Sequence, residues 1–169
     1  MASKRPLHAL AAALLIIASQ ALAAENSSTI YRQAIRTASA GRIDEAVPLF
    51  RKVIQLSPHS TLGHYGLGRS LLYRGETVRD AIKHLSLATS LDRKNAKAYF
   101  YLGIAYLFDE KYIPAIHAFS DAYRADSTMI EALYNTGVAY DLMRDYKKAS
   151  LYFEKYLSRK YGEELDILF

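Results

Sequence analysis

The chain has no cysteine, so histidine supplies its main candidates for metal or proton chemistry near neutral pH. Disulfides, thiol nucleophiles and cysteine lipidation are excluded on the same ground. Beyond His8 in the N-terminal apolar run, the histidines are His59, His64, His84 and His117. His59 and His64 flank a turn, while His84 and His117 fall on other segments. No acidic residue completes a ligand set around them, so neither a metal site nor a cofactor is expected. No H-E-x-x-H, no G-x-S-x-G and no glycine-rich phosphate loop occurs. The carboxylates are scattered over surface positions and form no acid–base pair. The run Arg144–Lys148 reads as a solvated turn rather than an anion site. These exclusions point away from an enzyme and toward a surface that binds.

The aromatic content suits such a surface. There are 14 Tyr, 6 Phe and no Trp. Tyrosine joins an apolar ring to a polar tip, which fits half-exposed binding faces. With 169 residues, 51% of them hydrophobic, the chain can build one domain with a buried core. Its formal charge is +5, and +5 − 2 = +3 without Lys4 and Arg5. That charge is small and spread along the sequence, so nucleic acid is not an expected partner.

Lys4 and Arg5 precede an apolar run, Leu7–Ala18, followed by small residues at Ala21 and Ala23. The order charged, apolar, small is that of a secretory signal peptide over residues 1–24, with cleavage after Ala23 or Ala24. The apolar core is shorter than the roughly 20 residues a spanning helix wants, so no stable membrane insertion is expected after cleavage. The alanine-rich core with an Ala-x-Ala end suggests a bacterial periplasmic or secreted protein. In a eukaryote, Asn26-Ser27-Ser28 would be a glycosylation sequon.

The remainder repeats. "YLGIAY" at Tyr101–Tyr106 and "YNTGVAY" at Tyr134–Tyr140 place Gly103 and Gly137 about 34 residues apart. Ala115 and Ala149 follow these glycines at one common distance, and Phe119 and Phe153 at another. An earlier copy supplies Gly68, Ala81, Leu85 and Ala88, with one extra residue in its turn. The first copy has Ala34, Gly41, Ala46 and Phe50, and its end carries a closing proline at Pro58. Each copy holds two stretches with apolar residues at helical spacing. Turns are marked at Gly41, Gly75, Asp109-Glu110 and Arg144-Asp145, and Pro48 and Pro114 are expected in the first turns of second helices.

The order small, aromatic, Ala, Phe, small at this period resembles the tetratricopeptide repeat. The resemblance spans residues 25–163 as four copies, 27–60, 61–95, 96–129 and 130–163, leaving 164–169 as a C-terminal tail. Several positions depart from the pattern. The early aromatic is Ile30, His64, Tyr99 and Leu133 in turn, and Arg93 and Ser127 replace the closing proline. The resemblance implies an all-α fold, a right-handed superhelical solenoid of about four helix pairs, stacked because one pair cannot bury its own face.

It also implies a concave face lined by the first helix of each copy. The fifth position reads Tyr31, Tyr65, Phe100 and Tyr134. The thirteenth includes Tyr73 and Phe108, the ninth Arg69 and Ile104, and the twelfth Asp141. Such a stripe is either core or an exposed channel for a partner. The channel is the expectation, because the Gly, Ala, Phe and Tyr signature positions already account for the core. Arg69 and Asp141, with Lys97 and Glu131 near the rim, would set register. Relatives that grip acidic chaperone tails carry Lys and Asn where Tyr31 and Ile35 stand here, so that clamp is not expected. The function implied is a protein-interaction module of the periplasm, an adaptor or chaperone-like scaffold holding an apolar peptide or helix in envelope assembly or secretion. The alternative is a self-associating repeat protein whose groove a neighbouring subunit fills. The last helix carries Tyr152, Phe153, Tyr156, Leu157 and Tyr161 with no following repeat. The tail's Leu165, Ile167, Leu168 and Phe169 are expected either to cover these rings or to leave them for a second molecule.

Overall fold

A computed structural model describes residues 5–74 and 78–162. Gly75, Lys4 and the tail 164–169 lie outside these residues. Among the described residues every regular element is a helix: α1 (Arg5–Ser39), α2 (Ile43–Leu56), α3 (Thr61–Arg74), α4 (Val78–Leu91), α5 (Ala96–Phe108), α6 (Tyr112–Ala125), α7 (Glu131–Leu142) and α8 (Tyr146–Tyr161). The stretch read as a signal peptide continues α1 toward its N-terminus, and Leu10, Leu14, Leu15, Ile16, Ile17 and Leu22 are exposed along it.

Successive helices pack in order, and α1, α3, α5 and α7 also touch one another while the even-numbered helices do not. The odd-numbered helices therefore line the inner side of a right-handed superhelical solenoid. Close approach within each pair depends on one small residue facing one large one. A methyl built on Gly103 would stand 2.5 Å from Phe119, and one on Gly137 2.6 Å from Phe153. In the second pair Gly68 faces Leu85, at 2.7 Å. In the first pair Ala34 and Phe50 hold the corresponding positions, both buried. Ala46, Ala81 and Ala115 are buried completely, and Ala149 nearly so, because each lies between helices.

The turn within each described pair has one form. Gly41, Glu110 and Arg144 all take positive φ, +77°, 56° and 61°. The next amides close the turn onto the preceding helix, Lys111 N–H to the Tyr106 carbonyl at 2.8 Å and Asp145 N–H to Tyr140 at 2.9 Å. This is the Schellman-type end that usually employs glycine. Between pairs, the closing proline is replaced by a different device. Asp92 and Asp126 each accept a hydrogen bond from the backbone two residues on, Lys94 and Thr128, both at 2.9 Å. Such aspartates form a turn without a proline. Ser60 and Asn95 then cap α3 and α5 through the Gly63 and Ala98 amides. Pro48 corrects the sequence expectation. It lies in the second turn of α2, because the Gly41 turn starts that helix already at Ile43. Pro114 does fall in the first turn of α6.

Candidate functional site

The inner helices bring most of the sequence-predicted residues to one face, but not as an open ladder. Three of the four fifth-position rings lean on their own repeat, and Tyr65 leans on the next. Tyr31 packs on Phe50 with ring centres 6.1 Å apart, Phe100 on Phe119 at 5.7 Å, and Tyr134 on Phe153 at 5.4 Å. Tyr65 packs on Tyr101 at 5.9 Å and is only 8% exposed, so its ring belongs to the core. Ile104 is half-buried against the cluster that holds Phe119 and Ala122. The thirteenth position is the open one, with Tyr73 61% and Phe108 67% exposed. Asp141 is exposed near the end of α7.

Two concavities divide this face. One of about 470 Å³ lies between α1 and α3, with Ile35, Ala38, Tyr65, Arg69 and Tyr73 among its walls. Another of about 240 Å³ lies between α3, α5 and the start of α7, bounded by Lys97, Phe100, Tyr101 and Glu131. Tyr65 and Arg69 belong to both and form the ridge between them.

Arg69 is the centre of an aromatic nest. Its Cζ lies 5.5 Å from the Tyr73 ring centre and 5.2 Å from that of Tyr101. Burial pushes the Tyr101 hydroxyl up to about 12, helped by its hydrogen bond with Tyr73. The same bond, and a second with Arg69, holds the Tyr73 hydroxyl below its ordinary value. Burial raises Tyr65 and Tyr31 as well. Tyr101 is the residue the sequence reading passed over. It occupies the sixth position, which the repeat also assigns to the inner face, and that position was the available signal.

A further concavity, of about 680 Å³, lies on the opposite face between α6 and α8, with Leu133 and Thr136 in its floor. None of the sequence-predicted site residues lines it.

Two histidines that are distant in sequence meet on this outer side. His64 and His84 place their Nδ1 atoms 2.9 Å apart, and His64 Nε2 lies 2.9 Å from the Pro58 carbonyl. A carbonyl can only accept, so His64 Nε2–H donates to it, and His64 Nδ1 accepts from His84 Nδ1–H. Burial, then the neighbouring His64 and Lys83, lowers His84 to about 4. The two nitrogens are closer than two metal bonds of about 2.0 Å at a shared ion would leave them. No group of three potential metal ligands occurs among the described residues. The pair is a neutral strut joining α3, α4 and the 57–60 turn.

At the C-terminal end, Tyr156 occupies the place held by Ala88 and Ala122 in earlier repeats. Its ring packs on Tyr134 at 5.4 Å. Lysines lie over the outer rings, Lys155 4.7 Å from Tyr152 and Lys160 5.4 Å from Tyr156. Part of the aromatic surface of α8 is therefore covered within α8 itself.

Comparison with known proteins agrees with this geometry. The family model of the tetratricopeptide repeat matches residues 130–161. A crystal structure of MamA superposes with a TM-score of 0.75 at 25% identity, over 80% of this chain and 78% of that one. MamA from residue 41 to its end, of Desulfovibrio magneticus RS-1, gives 0.75 at 27% identity, over 82% and 77%. A thermophilic tetratricopeptide-repeat protein of Thermus thermophilus gives 0.68 at 20% identity, over 78% and 73%, a likeness of fold alone. Comparison with curated proteins found no match.

Proposed function

The chain is a tetratricopeptide-repeat protein, and from that premise we propose that it is a protein-binding scaffold of the bacterial periplasm that holds an apolar peptide or helix of a partner in its concave groove, in envelope assembly or secretion. The observation that carries the proposal is the pair of large rings left open at the thirteenth position of the inner helices, Tyr73 and Phe108, with Tyr73 in the wall of an aromatic-lined concavity. Rings of this size held on rigid helices are the usual anchors of a protein interface. Tyr31, Tyr65 and Phe100 pack on rings of neighbouring helices, so the face around the open rings is ordered before a partner arrives. The leader pattern Lys4-Arg5, Leu7–Ala18, Ala21-x-Ala23 supports export. No helix among the described residues is long and apolar enough to cross a membrane.

Capture from the native envelope tests the proposal. The exported chain should begin at Ala24 or Glu25 and retain a defined partner. Tyr73→Ala with Phe108→Ala should remove that partner while leaving helicity unchanged. Undiminished capture by the double variant would overturn the groove reading, and an uncleaved chain in the cytoplasm would overturn the location.

A further inference from the structure

The inner face holds one guanidinium in an unusual setting. Arg69 stands on the ridge between the two concavities, with the Tyr73 and Tyr101 rings against it. No carboxylate forms an ion pair with it among the described residues, and none lines the larger concavity. The charged groups facing Arg69 across the smaller concavity are Lys97 and Glu131, whose charges offset each other. The neighbours that polarise Arg69 are all phenols, Tyr101, Tyr73 and Tyr65. Five other cations, Arg42, Arg74, Lys111, Arg124 and Lys148, each lie on an aspartate or glutamate, and Arg69 is not among them.

A half-buried charge with no counterion is costly unless a ligand supplies one. The Tyr73 and Tyr101 rings lie beside the guanidinium, and the phenol hydroxyls of Tyr73 and Tyr65 take only part of its five N–H donors, which leaves the others for an acceptor. Phenols accept at single points, whereas a carboxylate accepts two parallel N–H bonds. Resting on the groove reading above, we infer that Arg69 is the recognition point for an acidic side chain of the bound peptide, an aspartate or glutamate flanked by apolar residues. Those apolar residues enter the concavities on either side, against Ile35 and Tyr73 on one and Phe100 on the other. The arrangement uses one arginine between tyrosines at the middle of the groove.

A phage-displayed library of random peptides, selected on the full chain and on its Arg69→Gln variant, tests this. Peptides enriched on the unaltered chain should carry Asp or Glu at a fixed spacing from apolar residues. Those enriched on the variant should keep the apolar residues and lose the acid. For the best peptide, Arg69→Gln should weaken binding about tenfold or more, the scale of a charged hydrogen bond. Replacing the peptide's acid by its amide should weaken binding equally, and the two changes together no more than either alone. That non-additivity is a readout that loss of packing around Arg69 would not produce. Enriched peptides that are apolar without a fixed acid would overturn the inference and leave the groove reading standing. Peptides that bind the Tyr73→Ala/Phe108→Ala variant unchanged, or no enrichment at all, would overturn the groove reading and this inference with it.

Discussion

Glu110 and Arg144 hold the backbone conformation that Gly41 holds in the first repeat, with φ of 56° and 61°. A left-handed residue with a Cβ costs roughly 1–2 kcal/mol relative to glycine's freedom there. Against this, glycine in the unfolded chain has about 0.5–1 kcal/mol more conformational entropy to lose. Glu110→Gly and Arg144→Gly should therefore each stabilise the fold by about 0.5–1 kcal/mol. Neither side chain is among the ion pairs found, so no compensating contact is lost. The two turns lie in different repeats and share no neighbour, so the effects should add to about 1–2 kcal/mol. For a domain of this size that raises the melting temperature by roughly 2–8 °C. The reciprocal change, Gly41→Ala, meets nothing within 4 Å, so its cost is the backbone alone. It should destabilise by about 1 kcal/mol. Thermal melts followed by helical dichroism measure all four proteins. If both glycine variants melt lower than the parent, the common turn geometry is not what limits these positions, and the reasoning fails.

Two further predictions concern the framework. Gly103→Ala should destabilise by about 1–2 kcal/mol in urea titrations despite alanine's better helix propensity, because its methyl would stand 2.5 Å from the buried Phe119; a stabilised variant would contradict the close approach. The second follows from His84, lowered to about 4 from 6.5, so that the folded state prefers it neutral. The unfolded chain then takes up the proton first, and the strut's contribution is complete above pH 6.5 and is lost as pH falls toward 4. The ring is half-exposed, which reduces the loss to on the order of 1–2 kcal/mol. His84→Asn should flatten the decline of the urea midpoint between pH 6.5 and 4; an unchanged decline would show that other groups cause it.

How much of this was legible from the chain depends on whether a residue acts through its repeat position or through a partner elsewhere. Gly103 with Phe119 and Gly137 with Phe153 could be read because their spacing recurs, and close packing needs one small residue opposite one large one. The turns at Glu110 and Arg144 were marked, but their left-handed backbone shows only beside Gly41 in the same register. The loss of the closing proline at Arg93 and Ser127 read as a departure, whereas Asp92 and Asp126 supply the turn instead. The inner stripe was identified as a face. Which rings stay open could not be read, since Tyr65 and Tyr73 are the same residue type. Tyr65 is drawn into the core by Tyr101, and Tyr73 stands at the outer end of α3. His64 and His84 meet through the packing of α3 on α4, and no sequence pattern reports that contact. The missing ion pair of Arg69 is likewise a fact of three dimensions, because Glu131, which faces it across the smaller concavity, is far from it in sequence and forms no ion pair with it.

The concave face is the central claim, and site-specific photo-crosslinking in the native host tests it most directly. A photoreactive phenylalanine analogue would replace Tyr73 or Phe108 on the inner face, or His117 on the outer face beside the concavity between α6 and α8. The account predicts one and the same partner polypeptide linked from positions 73 and 108 and none from 117. A partner linked from 117 alone, or equally from all three positions, would contradict it.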